Sequence, residues 1–201
     1  MRPEAGATGA AAAGDVRATA GAPVPTDAFR ATMAHMPTCV TVVTAATRHG
    51  PVGCTASAVL SLSLHPPGLL VSLAAAGRTA REIRRVGGFA VNVLSWEQRD
   101  LTRRFAEEPP CRRFEGVTWE VQDGQPVLAG VAASVVCAVD RCYDVWDHTL
   151  LVGRVVRSAH HPDRTPLIHH RRTHDRPAAL GVPPGGASAV HRAPRVTGRS
   201  V

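Results

Sequence analysis

Lysine is missing altogether: all 23 basic residues of this 201-residue chain are arginine. A P-loop and a Schiff base both need a lysine amine, so neither chemistry is open to the protein. Aromatic residues are scarce as well, at 4% of the chain. Stacking platforms for single-stranded nucleic acid need Phe, Tyr and Trp in number, and these are too few. No C-x-x-C pair occurs, and the five cysteines are odd in number, which argues against a disulfide framework and for buried reduced thiols. Long apolar runs are absent too. The greasiest window, residues 58–76, carries three Ser, a His and two Pro, far from the roughly 18 to 20 apolar residues a membrane span requires. With no continuous apolar h-region at the start, the expected address is the cytoplasm.

The formal charge of +7 loses most of its weight when it is divided by region. Residues 1–26 hold two Arg and two acids, residues 181–201 hold Arg192, Arg195 and Arg199 without an acid, and the body retains 18 Arg against 14 acids, a net +4. Those charges are interspersed, so neither a nucleic-acid partner nor a basic face is expected. Both ends are rich in Ala, Gly and Pro and poor in large apolar residues, which predicts disordered tails over 1–26 and 181–201 around one folded domain, 27–180.

Within the body, Asp27 reads as the N-cap of a short helix stopped at Pro37. Residues 39–47 alternate and are β-branched; 51–57, 58–64 and 69–74 continue as strands, separated by turns at His49-Gly50 and His65-Pro66-Pro67-Gly68. Gly77 opens an Arg-rich helix to Val86, and Gly87-Gly88 closes it. A strand over 89–94 follows, then Ser95 as N-cap of a helix over 96–106. Strands at 117–121, 132–145 and 148–158 complete a pattern with far more strands than helices. It predicts a mainly β fold, a small closed β-barrel with a few peripheral helices.

Two segments carry chemistry. Gly53-Cys54-Thr55-Ala56-Ser57 sets small and hydroxylated residues where a planar ligand can approach the backbone, although tight strand packing uses the same residues. Gly77-Arg78-Thr79 at a helix start offers free N-H groups, the positive dipole end, a hydroxyl and a guanidinium to a phosphate, or simply caps an exposed helix.

The order MPTCVTVVTA, GCTASAVLSLSLHPPGLLVSL, FAVNVLSWEQRDLTRRFA, RFEGVTWE, GQPVLAGVAASVVCAV and DHTLLVGRVV resembles the flavin reductase-like family, over nearly the whole body. That resemblance implies a Greek-key split barrel of the FMN-binding type, with FMN or FAD as cofactor and NADH or NADPH as hydride donor. It implies reduced flavin passed to a flavin-dependent monooxygenase or halogenase, and a homodimer with the cleft at the subunit interface. Residue by residue, Pro37, Thr38 and Val40 match the segment along the isoalloxazine, Thr55, Ala56 and Ser57 the ring contact, and Arg78 and Thr79 the phosphate contact. Asn92 and Phe105 lie in motifs beside the pocket, and His148 in Asp147-His148-Thr149 is expected on the nicotinamide side with His169, His170 and Arg171. No general base is implied, since hydride transfer is the cofactor's own chemistry.

The chain departs from the family pattern at two places. Trp146 stands where a Gly usually precedes Asp-His, and could wall off part of the nicotinamide site or offer a stacking surface. His169 and His174 replace aromatics in the last motif, and an Arg replaces its Gly. The histidines at 160, 161, 169, 170 and 174 lack a carboxylate or Cys at ligand spacing, so no metal site is expected. A flavin carrier without reductase activity, or a reductase of another acceptor with tightly held flavin, are the competing readings.

Overall fold

A computed structural model describes residues 21–177 and 189–192. Residues 21–33 hold one helix, α1 (Thr26–Met33), with Asp27 inside its first turn rather than before it. The rest is built from β1 (Thr38–Cys39), β2 (Thr41–Thr47), β3 (Gly50–Ala56), β4 (Val59–Leu64), β5 (Pro67–Ala74), α2 (Arg78–Val86) and β6 (Gly88–Val93). A 3-10 turn (Trp96–Gln98) leads into α3 (Arg99–Glu107), followed by β7 (Trp119–Gln122), β8 (Gln125–Leu128), β9 (Ala133–Val145), β10 (His148–His160), β11 (Ile168–His170), β12 (Thr173–Asp175) and β13 (Ala189–Arg192). Ser95 begins the 3-10 turn through a capping box with Gln98, so the expected helix over 96–106 divides into two pieces.

The main sheet runs β3-β2-β6-β9-β10-β5-β4 and does not close on itself, with β13 paired to β10. This is a mainly β split barrel with few helices, as the family resemblance implied; the closed barrel expected from the strand pattern alone is not formed, because β3 and β4 end the sheet without pairing to each other. Its central strands β2 and β6 are buried on both faces, which explains their nearly continuous apolar sequence. Val43, Phe89 and Val91 face one core with Val71, Ile83 and Leu151. Val40 and Val42 face a second core with Leu94, Phe105, Leu128 and Leu167.

Gly153 is required by close approach: a Cβ there would lie 2.5 Å from Phe89 Cζ and 2.8 Å from Cys137 Cβ. It sits at a register shift in the β9/β10 pairing, where the long hairpin bends over Phe89. The hairpin β7/β8 turns at Asp123-Gly124, with φ of 42° and 80°. That dipeptide is a strong hairpin signal that the reading of a single strand over 117–121 passed over.

The expected tails fall largely outside the described residues. Where they do not, residues 21–25 are exposed and without regular structure, Thr26 already belongs to α1, and at 189–192 the chain forms β13 instead of a free tail, pairing Arg157 with Arg192 and Ser158 with His191. Asp123 joins this edge to the β7/β8 turn, bridging Arg157 and Arg192. Its carboxyl is held below the ordinary range, chiefly by the hydrogen bond from Arg157. Among the described residues no helix is long and apolar enough to cross a membrane.

Candidate functional site

A cavity of about 470 Å³ opens where four pieces of backbone end together: β3 with Thr55 and Ala56, β5 with Ser72 to Ala74, the start of α2, and the end of α3 with Phe105. Its volume lies within the ordinary range for ligand pockets, roughly 300 to 1,000 Å³. Ala56, Leu73, Ala74 and Phe105 make apolar walls, and the guanidinium groups of Arg78 and Arg113 line it together with the His148 imidazole. Among the described residues no carboxylate lines it, so the field inside favours an anion.

The α2 end is the polar pole. Gly77 caps the helix without a side-chain hydrogen bond, and the first helical bond runs from Arg81 N-H to the Gly77 carbonyl at 3.3 Å. The amides of Arg78, Thr79 and Ala80 therefore precede the ladder without an intrahelical acceptor, and all three residues border the cavity. Only Gly suits position 77, since a Cβ would stand 2.9 Å from the Ala74 carbonyl oxygen. An N-terminus of this kind, free of a side-chain cap and beside a guanidinium, fits a phosphate.

Two hydroxyls that the sequence suggested for ligand contact are already engaged. Thr55 Oγ1 donates to the Thr102 carbonyl at 2.7 Å, tying β3 to α3. The Thr79 hydroxyl is buried and hydrogen-bonds the Cys54 thiol. Burial pushes that thiol up from its ordinary value, against the opposing effects of Thr79 and of the Arg113 charge.

Arg113 is the residue that the sequence reading missed. It lies in the quoted stretch RFEGVTWE, yet nothing in the pattern assigned it a role. Its Nε donates to the Glu108 carbonyl at 2.9 Å and its Nη1 to the Gly53 carbonyl at 2.8 Å, so the guanidinium is fixed at the cavity wall. Phe114 follows it and packs edge-on against Phe105, with centroids 5.0 Å apart.

Of the expected residues, Thr55, Ala56, Ser57, Arg78, Thr79, Phe105 and His148 come together around this cavity. His148 Nδ1 hydrogen-bonds the Asp147 carboxylate at 2.8 Å, which holds the Asp147 carboxyl below its usual range. Val40 and Asn92 do not line it. Val40 is buried in the second core, exchanging backbone bonds with Leu167 and Leu94. Asn92 is fully buried and its amide is consumed by β2 and β8.

Pro37, Thr38, His169, His170 and Arg171 also lie away from the cavity. Thr38 pairs with His169 in the small sheet β1-β11-β12. There the His169 and His174 rings meet edge to face at 6.0 Å, and Arg99 and Arg176 both stand over the Trp96 ring. Desolvation, then the neighbouring His169 and Arg99, push His174 below its ordinary value. Arg171 and Arg172 turn the β11/β12 hairpin with φ of 52° and 65°. Among the described residues no group of three or more His, Cys, Asp or Glu is placed to hold a metal.

A split barrel whose cavity ends at a helix N-terminus belongs to a class of fold suited to a phosphate-bearing ligand. The flavin reductase like domain matches residues 33–177. The chain belongs to that family. It is 39% identical over 140 residues to the FMN reductase (NADH) SmoA of Agrobacterium fabrum, covering 69% of this chain and 79% of that protein. It is 33% identical over 144 residues to the reductase subunit HsaB of a flavin-dependent monooxygenase from Rhodococcus jostii, covering 71% and 73%. The NADH:FAD oxidoreductase SgcE6 of Streptomyces globisporus superposes with a TM-score of 0.73 at 32% identity, covering 79% of this chain and 98% of that one.

Proposed function

We propose that the protein is an NAD(P)H:flavin oxidoreductase that reduces FMN or FAD and supplies the reduced flavin to a partner monooxygenase. The observation that carries this reading is the cavity: apolar walls, no carboxylate among the described residues, and one pole formed by Arg78 and three amides without an intrahelical acceptor. Its relatives' names support the same activity.

When bound, the flavin supplies the hydride-accepting chemistry itself. The protein's part is to bind, orient and exclude water. In this reading the α2 amides and Arg78 hold the phosphate, and the backbone at Thr55–Ser57 borders the ring. Phe105, Leu73 and Ala74 keep that space dry, and His148, oriented by Asp147, faces the hydride donor. Arg113 sets the wall by binding the Gly53 carbonyl. Val40 and Asn92 are assigned to the scaffold. Pro37, Thr38, His169, His170 and Arg171 act on ligand in this reading only across a subunit boundary.

The homodimer is supported by β4, an edge strand leaving the cavity wall at Ser57 and Ala58. It exposes Leu60, Leu62 and Leu64, the last by 74%. An apolar, unpaired edge of that length is an association surface. A second copy covering it is the occupant, and gel filtration at twice 21.2 kDa is the expected result. Five unpaired thiols suit a reducing compartment, which supports a cytoplasmic address.

The test of function is steady-state NADH and NADPH oxidation with FMN, FAD and riboflavin, repeated on Arg78→Ala. Loss of one charge-assisted phosphate contact, about 1.5 to 3 kcal/mol, raises the FMN dissociation constant while riboflavin, which has no phosphate, moves little. Flavin binding without turnover would establish the carrier reading instead. Equal losses for FMN and riboflavin would remove the phosphate from α2.

A further inference from the structure

Val145 and His148 pair across a two-residue turn, Trp146-Asp147, at the tip of the β9/β10 hairpin. Trp146 has φ of 53° and Asp147 is not in the left-handed region. Positive φ at the first central position alone is the type II′ pattern, whose unstrained occupant is Gly. A bulky side chain there strains the backbone. Trp146 recovers nothing from the fold in return, because it is 97% exposed, the most exposed large apolar residue among the described residues. It therefore does not wall off the cavity within its own chain.

Its place is informative. The Asp147 carbonyl accepts a hydrogen bond from Ala75 N-H at 2.9 Å, and Gly77 N-H bonds Ala74 O at 2.9 Å. The turn is thus fastened to the short loop that enters the N-terminus of α2, at the end of the cavity bordered by Gly77, Arg78 and His148. The indole, free in solvent, stands on the turn that is fastened to the loop leading into that pole. A ligand that ends in a single phosphate terminates there. A dinucleotide continues past it, and its next aromatic piece is a purine.

We propose that Trp146 is the platform on which the adenine of FAD stacks, so that this protein distinguishes FAD from FMN. The assignment rests on the flavin reading above. A base stacked on an exposed aromatic needs no hydrogen-bond code, only a free face, and Trp146 supplies one. It accounts for a tryptophan held at a strained position where glycine would fold more easily.

The test is calorimetric titration of the full chain and its Trp146→Gly and Trp146→Phe variants with FAD, FMN and riboflavin, together with the KM for NADH. Trp146→Gly relaxes the turn, so the variant folds. The expected result is a roughly ten- to hundredfold weaker FAD affinity in Trp146→Gly, the range of one base–aromatic stack. FMN and riboflavin shift by less than about twofold, and Trp146→Phe restores most of the FAD affinity. FAD and FMN weakening together, FAD unmoved in both variants, or a rise confined to the KM for NADH each overturn the proposal. If the unaltered protein binds none of the three flavins, the flavin reading itself fails, and this proposal with it.

Discussion

Asn92 separates scaffold from site. Its Nδ2 donates to the Val42 carbonyl at 3.0 Å and to Thr44 Oγ1 at 3.1 Å, and its Oδ1 accepts from Leu128 N-H at 2.8 Å. One amide thereby stitches β2, β6 and β8 together in a region from which water is excluded. In Asn92→Ala the Leu128 N-H and the Val42 carbonyl lose these partners while buried, each at about 1 to 3 kcal/mol. The vacated volume adds to that loss. The sum is about 3 to 5 kcal/mol, a large share of the roughly 5 to 15 kcal/mol that holds a domain together. For a domain of this size the melting temperature falls by about 2 to 4 °C per kcal/mol, so the drop exceeds about 6 °C. Urea unfolding measures the loss, and flavin titration well below the new midpoint measures binding in the folded variant. Strong destabilisation with the flavin dissociation constant nearly unmoved is the expected pair of results. An unchanged urea midpoint with clearly weakened flavin would refute the reasoning and return Asn92 to the ligand. Asn92→Asp offers a second check: a carboxylate facing the Val42 carbonyl has no donor to give, so this variant loses further stability as pH rises and the acid ionises.

Gly153→Ala forces a Cβ into Phe89 and Cys137, and overpacking of this kind costs about 1 to 3 kcal/mol; calorimetry should show a lower melting temperature, and an unchanged one would mean that the hairpin yields freely. The depressed Asp123 carboxyl stabilises the fold at pH above its ordinary value of about 3.9 and loses that contribution as pH falls through its folded value. Asp123→Asn keeps the turn preference but removes the charge, so its acid unfolding profile should be flatter than that of the unaltered protein. Identical profiles would show that Arg157 and Arg192 contribute nothing through Asp123.

Local signals and long-range placement divided cleanly along the chain. The helix from Arg78 to Val86 was legible because Gly77 and Gly87 bracket it and Gly87 takes the left-handed cap, φ 73°. Alternation and β-branching marked β2, and runs bounded by turn residues or helix ends marked β5, β6, β9 and β10. Two stretches failed for local reasons: Asp123-Gly124 was an unused hairpin signal, and α1 began one residue before Asp27. The pairing of 189–192 with β10 had no local signal, since an Ala- and Pro-rich segment becomes a strand only when an edge is offered to it.

The order of motifs along the chain determined the family and the mainly β architecture by itself, because periodicity, turn chemistry and helix caps are written in neighbouring residues. It also placed small residues at 53–57 and a phosphate-suited helix start at 77–79. Which side chains meet was decided only by the tertiary structure. Thr55 spends its hydroxyl on Thr102, Asn92 spends its amide inside the barrel, Arg113 arrives at the cavity wall from a distant loop, and Trp146 stands in solvent. The physical reason is common to all four: a polar or aromatic residue acts on a ligand only with what its packing leaves unsatisfied, and packing is set by strands far apart in sequence.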